Sequence, residues 1–215
     1  GALLAATLPA FATAQASANP TASTQARAPW PAEVIDLFAT LPVQEGGRIK
    51  PLDTVAGFKL LKMNIKRTVV TPGVEPEKLK PTAWLLDGLF FPEIARTYRV
   101  FYVRDKAVLT AAGLDFEQRK RTDRYSYDEL APARKELFGF AAQYEDLDPK
   151  VRDRHQAQTL ALAESMQEFE ALIATLDFAR REFKVEGSPA LQAVFAGDRS
   201  VSFSELLRKG PAIAE

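Results

Sequence analysis

Apolar residues recur along most of this chain at helical spacing. After Pro31, the residues Val34, Ile35, Leu37 and Phe38 form a stripe running to Thr40, which predicts a helix with proline in its first turn. Val55, Phe58, Leu61 and Ile65 predict a second helix, with Asp53 and Thr54 as candidate N-caps. Trp84, Leu85, Leu86, Leu89 and Phe90 predict a short third, ended by Pro92. The longest periodic run lies between about 149 and 183. There Leu162, Met166, Phe169, Ile173 and Leu176 alternate by four and three, and Phe183 continues the register. This heptad seam predicts one helix roughly 50 Å long at ~1.5 Å per residue. It is expected to pack on a neighbouring antiparallel helix over 128–143, or else to form a partner-binding coiled coil.

Period-two signals are few. Tyr98 to Arg104 is β-branched and aromatic almost throughout and predicts a strand. Leu41 to Pro51 reads as an extended segment broken at Gly46-Gly47, and Val43 or Ile49 offers that strand a pairing edge. Residues 69–81 contain Pro72, Pro76 and Pro81 and read as a loop. Ser126-Tyr127-Asp128-Glu129 and Ser202-Phe203-Ser204-Glu205 both spell the S-x-x-E capping box, so each predicts a helix start. The expected fold is mainly α: a single helical domain over 30–215 with one long helix and a minor β element.

The first 14 residues are uncharged and rich in Ala and Leu, and they run into Ala14-Gln15-Ala16 and then a polar stretch. That order resembles the apolar region and cleavage site of a secretory signal over 1–16. Residues 17–29 are small, polar and Pro-containing, as in a flexible linker. The domain is therefore expected in the periplasm or another extracytoplasmic space. No later stretch approaches the ~18 apolar residues of a membrane-spanning helix.

Composition narrows the chemistry. Lys+Arg and Asp+Glu both count 28, and a net charge of zero argues against a nucleic-acid partner, which needs a surplus of cations on one face. With no cysteine, the chain has no disulfide, zinc–thiolate site, cysteine nucleophile or C-x-x-C-H haem attachment site. His155 is the single histidine and falls seven residues before Leu162 in the seam, facing the helix partner. As a haem ligand it would need Met63, Met166 or a carboxylate opposite it; the bland alternative is a half-buried structural histidine. Carboxylate pairs such as Glu75/Glu77, Asp128/Glu129 and Glu164/Glu168 recur, but helical acidic pairs without a cleft read as solvated faces. The run from Arg119-Lys120-Arg121 to Arg124-Tyr125-Ser126-Tyr127 is a candidate for anionic groups, including haem propionates or lipid phosphates. Its alternative is a solvated loop before a capped helix. No catalytic residue and no metal site are nominated.

One segment asks for more than packing. Leu41-Pro42-Val43-Gln44-Glu45-Gly46-Gly47-Arg48-Ile49-Lys50-Pro51-Leu52-Asp53-Thr54 places two prolines, two glycines, two cations and a carboxamide in one extended strip. It resembles a motif in the extracytoplasmic part of bacterial System II (CcsA/ResC-type) cytochrome c biogenesis proteins. Arg124-Tyr125-Ser126-Tyr127-Asp128-Glu129-Leu130 resembles a second block of the same region, and Trp84-Leu85-Leu86-Asp87 falls between them. The likeness spans about 38–180 and is concentrated in the two blocks. The family's tryptophan-rich, histidine-flanked haem signature is missing, since Trp30 and Trp84 are the only tryptophans.

The resemblance implies a non-catalytic lobe of a machine that delivers haem to apocytochrome c, binding no cofactor directly. The expected partners are a membrane-embedded haem-handling subunit or apocytochrome c. The expected contacts are Gln44, Arg48, Lys50, Asp53, Thr54, Arg124, Tyr125 and Tyr127, with His155 as the one candidate haem contact. The alternative is a structural subunit of a larger membrane complex that uses the long helix as a scaffold.

Overall fold

The computed structural model describes residues 28–73, 75–116, 123–195 and 200–209. The signal-like segment 1–16, the linker up to residue 27 and the cations at 119–121 lie outside the described residues.

The chain opens with α1 (Ala32–Thr40), a hairpin of β1 (Pro42–Glu45) and β2 (Arg48–Pro51), and α2 (Leu52–Asn64). A short ladder of β3 (Val69–Val70) and β4 (Lys78–Leu79) leads to α3 (Pro81–Phe90) and α4 (Pro92–Ala95). Next come β5 (Phe101–Val103), α5 (Ala107–Ala111), β6 (Asp123–Tyr125), α6 (Tyr127–Leu130), α7 (Arg134–Glu145) and α8 (Arg154–Ala174). The C-terminal part holds α9 (Asp177–Arg180), β7 (Glu182–Lys184), α10 (Pro189–Val194), β8 (Ser200–Ser202) and α11 (Phe203–Lys209). The architecture is mainly α, with β structure confined to four antiparallel two-stranded ladders among the described residues.

The core is contiguous from α2 to α8. Leu60 and Met63 of α2, Trp84 and Leu85 of α3, Phe101 of β5, Leu130 and Leu137 before and within α7, and Leu162, Met166 and Phe169 of α8 all belong to it. Burying a side chain of this size contributes about 1.5–3 kcal/mol relative to exposure. Phe169 stands edge-on to Phe101, with ring centroids 5.5 Å apart. A satellite of Phe178, Phe183 and Phe203 ties α9, β7 and α11 together.

Several sequence expectations change in physical detail. The helix expected over 149–183 is α8, which has 21 residues and ends at Ala174. It starts late because Asp148 and Lys150 form a turn and Asp153 with Gln156 builds a capping box there. It stops because Leu176 leaves helical geometry and the Arg180 guanidinium donates to the carbonyls of Ile173 and Leu89. Phe183, read as the end of the seam, sits instead on β7. The expected antiparallel neighbour is α7. Arg134 at its start meets Glu170 near the end of α8, and Arg152, just before α8, donates to the carbonyls of Glu145, the last residue of α7, and of Leu147 just beyond it.

The strand predicted over 98–104 narrows to β5 and pairs with β6, Phe101 opposite Tyr125, and not with the 41–51 segment, which pairs with itself. Both capping boxes form. Glu129 N–H donates to Ser126 Oγ at 3.2 Å, and Glu205 N–H donates to Ser202 Oγ at 3.3 Å. The proposed caps of α2 do not: Pro51 holds the N-cap position with no side-chain bond, placing Asp53 and Thr54 inside the first turn.

Of the four apolar positions that predict α2, only Val55 is buried. Phe58, Leu61 and Ile65 point outward, while Val55, Ala56, Leu60 and Met63 fill the core.

Candidate partner-binding surface

The 41–54 strip is a hairpin because of its turn. Gly46 and Gly47 take φ of +58° and +73°, and two successive positive-φ residues make the tight turn whose twist suits antiparallel strands. The register pairs Glu45 with Arg48, Gln44 with Ile49, Val43 with Lys50 and Pro42 with Pro51. Leu52 N–H donates to the Leu41 carbonyl at 2.9 Å and closes the hairpin on α2.

Side chains alternate across a strand, which sorts the strip into two faces. Val43, Glu45 and Lys50 are half-buried toward α2, with Arg48 on the same face but exposed. Gln44 and Ile49 lie on the other face, both exposed. On the inner face Glu45 holds Lys50 at 3.2 Å and Lys59 of α2 at 3.6 Å. Lys50 therefore serves in part to fasten the hairpin. Asp53 accepts a hydrogen bond from the buried Thr82 hydroxyl at 2.8 Å, joining the first turns of α2 and α3. Thr54 is half-buried in the first turn of α2. Gln44, Arg48 and Ile49 are exposed to solvent, as are Leu41, Pro42, Pro51 and Asp53 nearer the ends of the strip.

The second block has a different job. Arg124 donates from Nε to Asn64 Oδ1 at 2.5 Å and from its terminal nitrogen to the Asn64 carbonyl at 3.2 Å. A guanidinium there satisfies the end of α2 and its dipole. Its carbon also stands 5.0 Å from the Tyr102 ring centroid. Tyr125 is fully buried, its ring tilted against Phe116 with centroids 4.8 Å apart, so it offers no surface.

Tyr127 is half-buried against Phe101 and Phe169, with the Arg96 guanidinium carbon 5.2 Å from its ring centroid. Its hydroxyl donates to Glu170 at 2.8 Å, and Arg134 binds both Glu170 oxygens at 2.6 and 2.8 Å. The Arg134 hydrogen bond holds the Glu170 carboxyl below the usual carboxylate range, against the opposing effect of burial. Burial, helped by the Glu170 carboxylate, pushes the Tyr127 hydroxyl up.

The two blocks therefore do not converge. They sit at opposite ends of α2, about 20 Å apart at 1.5 Å per residue. His155 lies in the first turn of α8, half-buried, with its carbonyl accepting from Thr159 Oγ1 at 3.0 Å. Its candidate co-ligands Met63 and Met166 are core residues. Among the described residues no three His, Asp or Glu side chains are grouped to hold a metal ion.

Asp87, which lies within the Trp84-Leu85-Leu86-Asp87 block, is a residue to which sequence reasoning gave no role. It is fully buried in α3 and accepts from Trp30 Nε1 and from the Tyr98 hydroxyl, both at 2.8 Å. The only available signal was a carboxylate inside an otherwise apolar helix. No helix among the described residues is long and apolar enough to cross a membrane. Comparison of the chain with protein-family models returned no match, and comparison with curated protein sequences returned none.

Proposed function

We propose that this chain is a non-catalytic docking domain of an extracytoplasmic cytochrome c biogenesis protein, binding apocytochrome c or a membrane-embedded haem-handling subunit through the β1–β2 hairpin. The observation that carries the reading is the division of labour inside the strip. Its backbone and inner face are fastened by Gly46-Gly47, Glu45, Lys50 and Asp53, while Gln44 and Ile49 on the outer face and Arg48 beside the turn stay exposed. A rigid edge carrying a carboxamide, a guanidinium and an apolar side chain loses little conformational freedom on binding. Haem in this reading is handled by the partner and not by His155.

The alternative of a scaffold built on the long helix is less well supported, because α8 spends its apolar face inside the chain on Leu162, Met166 and Phe169. The test is substitution of Gln44 and Arg48 by alanine in a strain that depends on this domain for cytochrome c maturation. Holocytochrome should fall while the purified variant melts as a folded domain, and normal holocytochrome would exclude the hairpin as the docking element. A haem titration of the pure domain should give no Soret shift. A saturable shift lost in His155→Ala would move haem handling into this chain.

A further inference from the structure

Helix α2 carries an apolar stripe that the described fold leaves uncovered. Phe58, Leu61 and Ile65 recur at i, i+3 and i+7 and are 48, 37 and 44 % exposed, while the opposite face of the helix is core. A groove of about 320 Å³ runs beside its C-terminal half, between α2, β5 and α8. Met63, Phe101 and Leu162 contribute apolar lining, and Lys62, Arg104 and Arg154 line it without any carboxylate among the lining residues. The stripe lies beside an excess of cations, although Glu45 pairs with Lys50 and Lys59, and Glu164 and Glu168 pair with Lys62. Residues 48–67 hold six Lys or Arg and a single carboxylate, Asp53, which is bonded to Thr82. Lys50 Nζ and the Arg67 guanidinium carbon both stand over the Phe58 ring, 5.8 and 4.9 Å from its centroid.

Ile65 adds an independent observation. It caps the end of α2 at φ +59°, the left-handed region that β-branched residues avoid and that glycine or asparagine takes at such a cap. Either would end the helix with less strain. What isoleucine adds is apolar surface at the end of the stripe.

We propose that the outer face of α2 and the adjoining groove form a docking site for an acidic, amphipathic helical segment of a partner protein. The apolar side of that segment packs on Phe58, Leu61 and Ile65. Its carboxylates meet Lys66, Arg67 and Arg154, since Lys62 is already paired with Glu164 and Glu168. A helix about 10 Å wide can lie along the stripe. An anionic bilayer fits less well, because its continuous negative surface would be pressed against Glu164 and Glu168, 3.4 and 2.5 Å from Lys62, whereas a helix can turn its carboxylates toward Lys66 and Arg67. This deepens the docking reading above by giving the partner a chemistry, but it uses a footprint other than Gln44 and Arg48.

The test is fluorescence anisotropy on the full chain, using a dye-labelled helical peptide with a leucine face and a glutamate face. Saturable binding that weakens with added salt is expected, and the same peptide with glutamine for glutamate should bind far more weakly. Ile65→Asn should lower affinity by about tenfold, the loss of one apolar side chain from a contact, while melting at a higher temperature than wild type. That combination separates lost docking from lost folding. Gln44→Ala with Arg48→Ala should bind the peptide normally even where it blocks maturation, so the two readings fail separately. Absence of saturable binding, equal affinity in Ile65→Asn, or capture of phosphatidylglycerol vesicles in place of the peptide would each overturn the proposal.

Discussion

Replacing Asp87 by asparagine probes the most buried polar junction of the domain. Asp87 Oδ1 accepts from the Trp30 indole and Oδ2 from the Tyr98 hydroxyl, both at 2.8 Å, and Tyr98 is itself buried. Asparagine keeps one acceptor oxygen and turns the other position into a donor facing a donor. One bond to a carboxylate is therefore lost, worth about 1.5–3 kcal/mol, and a buried donor is left unsatisfied. The expected destabilisation is about 2–3 kcal/mol, which in a domain of this size lowers Tm by roughly 5–10 °C.

Tyr98→Phe removes a donor without adding a conflict and should cost about 1 kcal/mol. Chemical denaturation followed by tryptophan fluorescence reads all three variants. In the double variant the losses should fall short of additive by about 1 kcal/mol, since the two groups share one bond. An Asp87→Asn protein melting within about 1 °C of wild type, or a strictly additive cycle, would refute the junction as drawn.

The hairpin turn, the helix clamp and the core each give a further test. Gly46→Ala combined with Gly47→Ala forces two side chains into positive φ and should destabilise by about 2 kcal/mol, measured by thermal melting; no change would mean the turn is not held as described. Glu170→Gln removes a carboxylate held below its usual range, whose contribution is present above the unfolded-state pKa and is lost as pH falls through the lower folded-state value. The variant should be about 1 kcal/mol less stable at pH 7, allowing for solvent screening of the partly exposed pair, and the gap should close in melts taken at progressively lower pH below about 4. Phe169→Ala empties the centre of the Phe101–Tyr127–Phe169 cluster and should cost about 3–5 kcal/mol in urea denaturation.

What was legible in the chain was local chemistry. The Gly46-Gly47 turn, the capping boxes at Ser126 and Ser202 and the pairing of α7 with α8 all follow from residues close together in sequence. Helix ends were harder. The carbonyls at the end of α8 are met by Arg180, and the chain reverses there through contacts that no heptad count contains. Periodicity also failed on α2, where apolar residues occur on both faces, so the spacing 58, 61, 65 looked like a core stripe although Leu60 and Met63 fill that role.

The candidate site was half legible. Gln44 and Arg48 were named from the strip and are exposed. Arg124 and Tyr125 were named from a second block whose work is to cap α2 and fill the core. The Asp87 junction depends on Trp30, 57 residues earlier, and such a contact leaves no local trace.

The central claim is that the hairpin touches a component of the cytochrome c maturation machinery. The direct measurement is site-specific photo-crosslinking in intact cells, with a photoreactive residue in place of Gln44 and, as a control, in place of the exposed Glu186. The account predicts a crosslink from position 44 to apocytochrome c or to a membrane-embedded haem-handling subunit, identified by mass spectrometry, and none from position 186. Crosslinks to either component from 186 but not from 44, or from neither position while maturation proceeds normally, would contradict it.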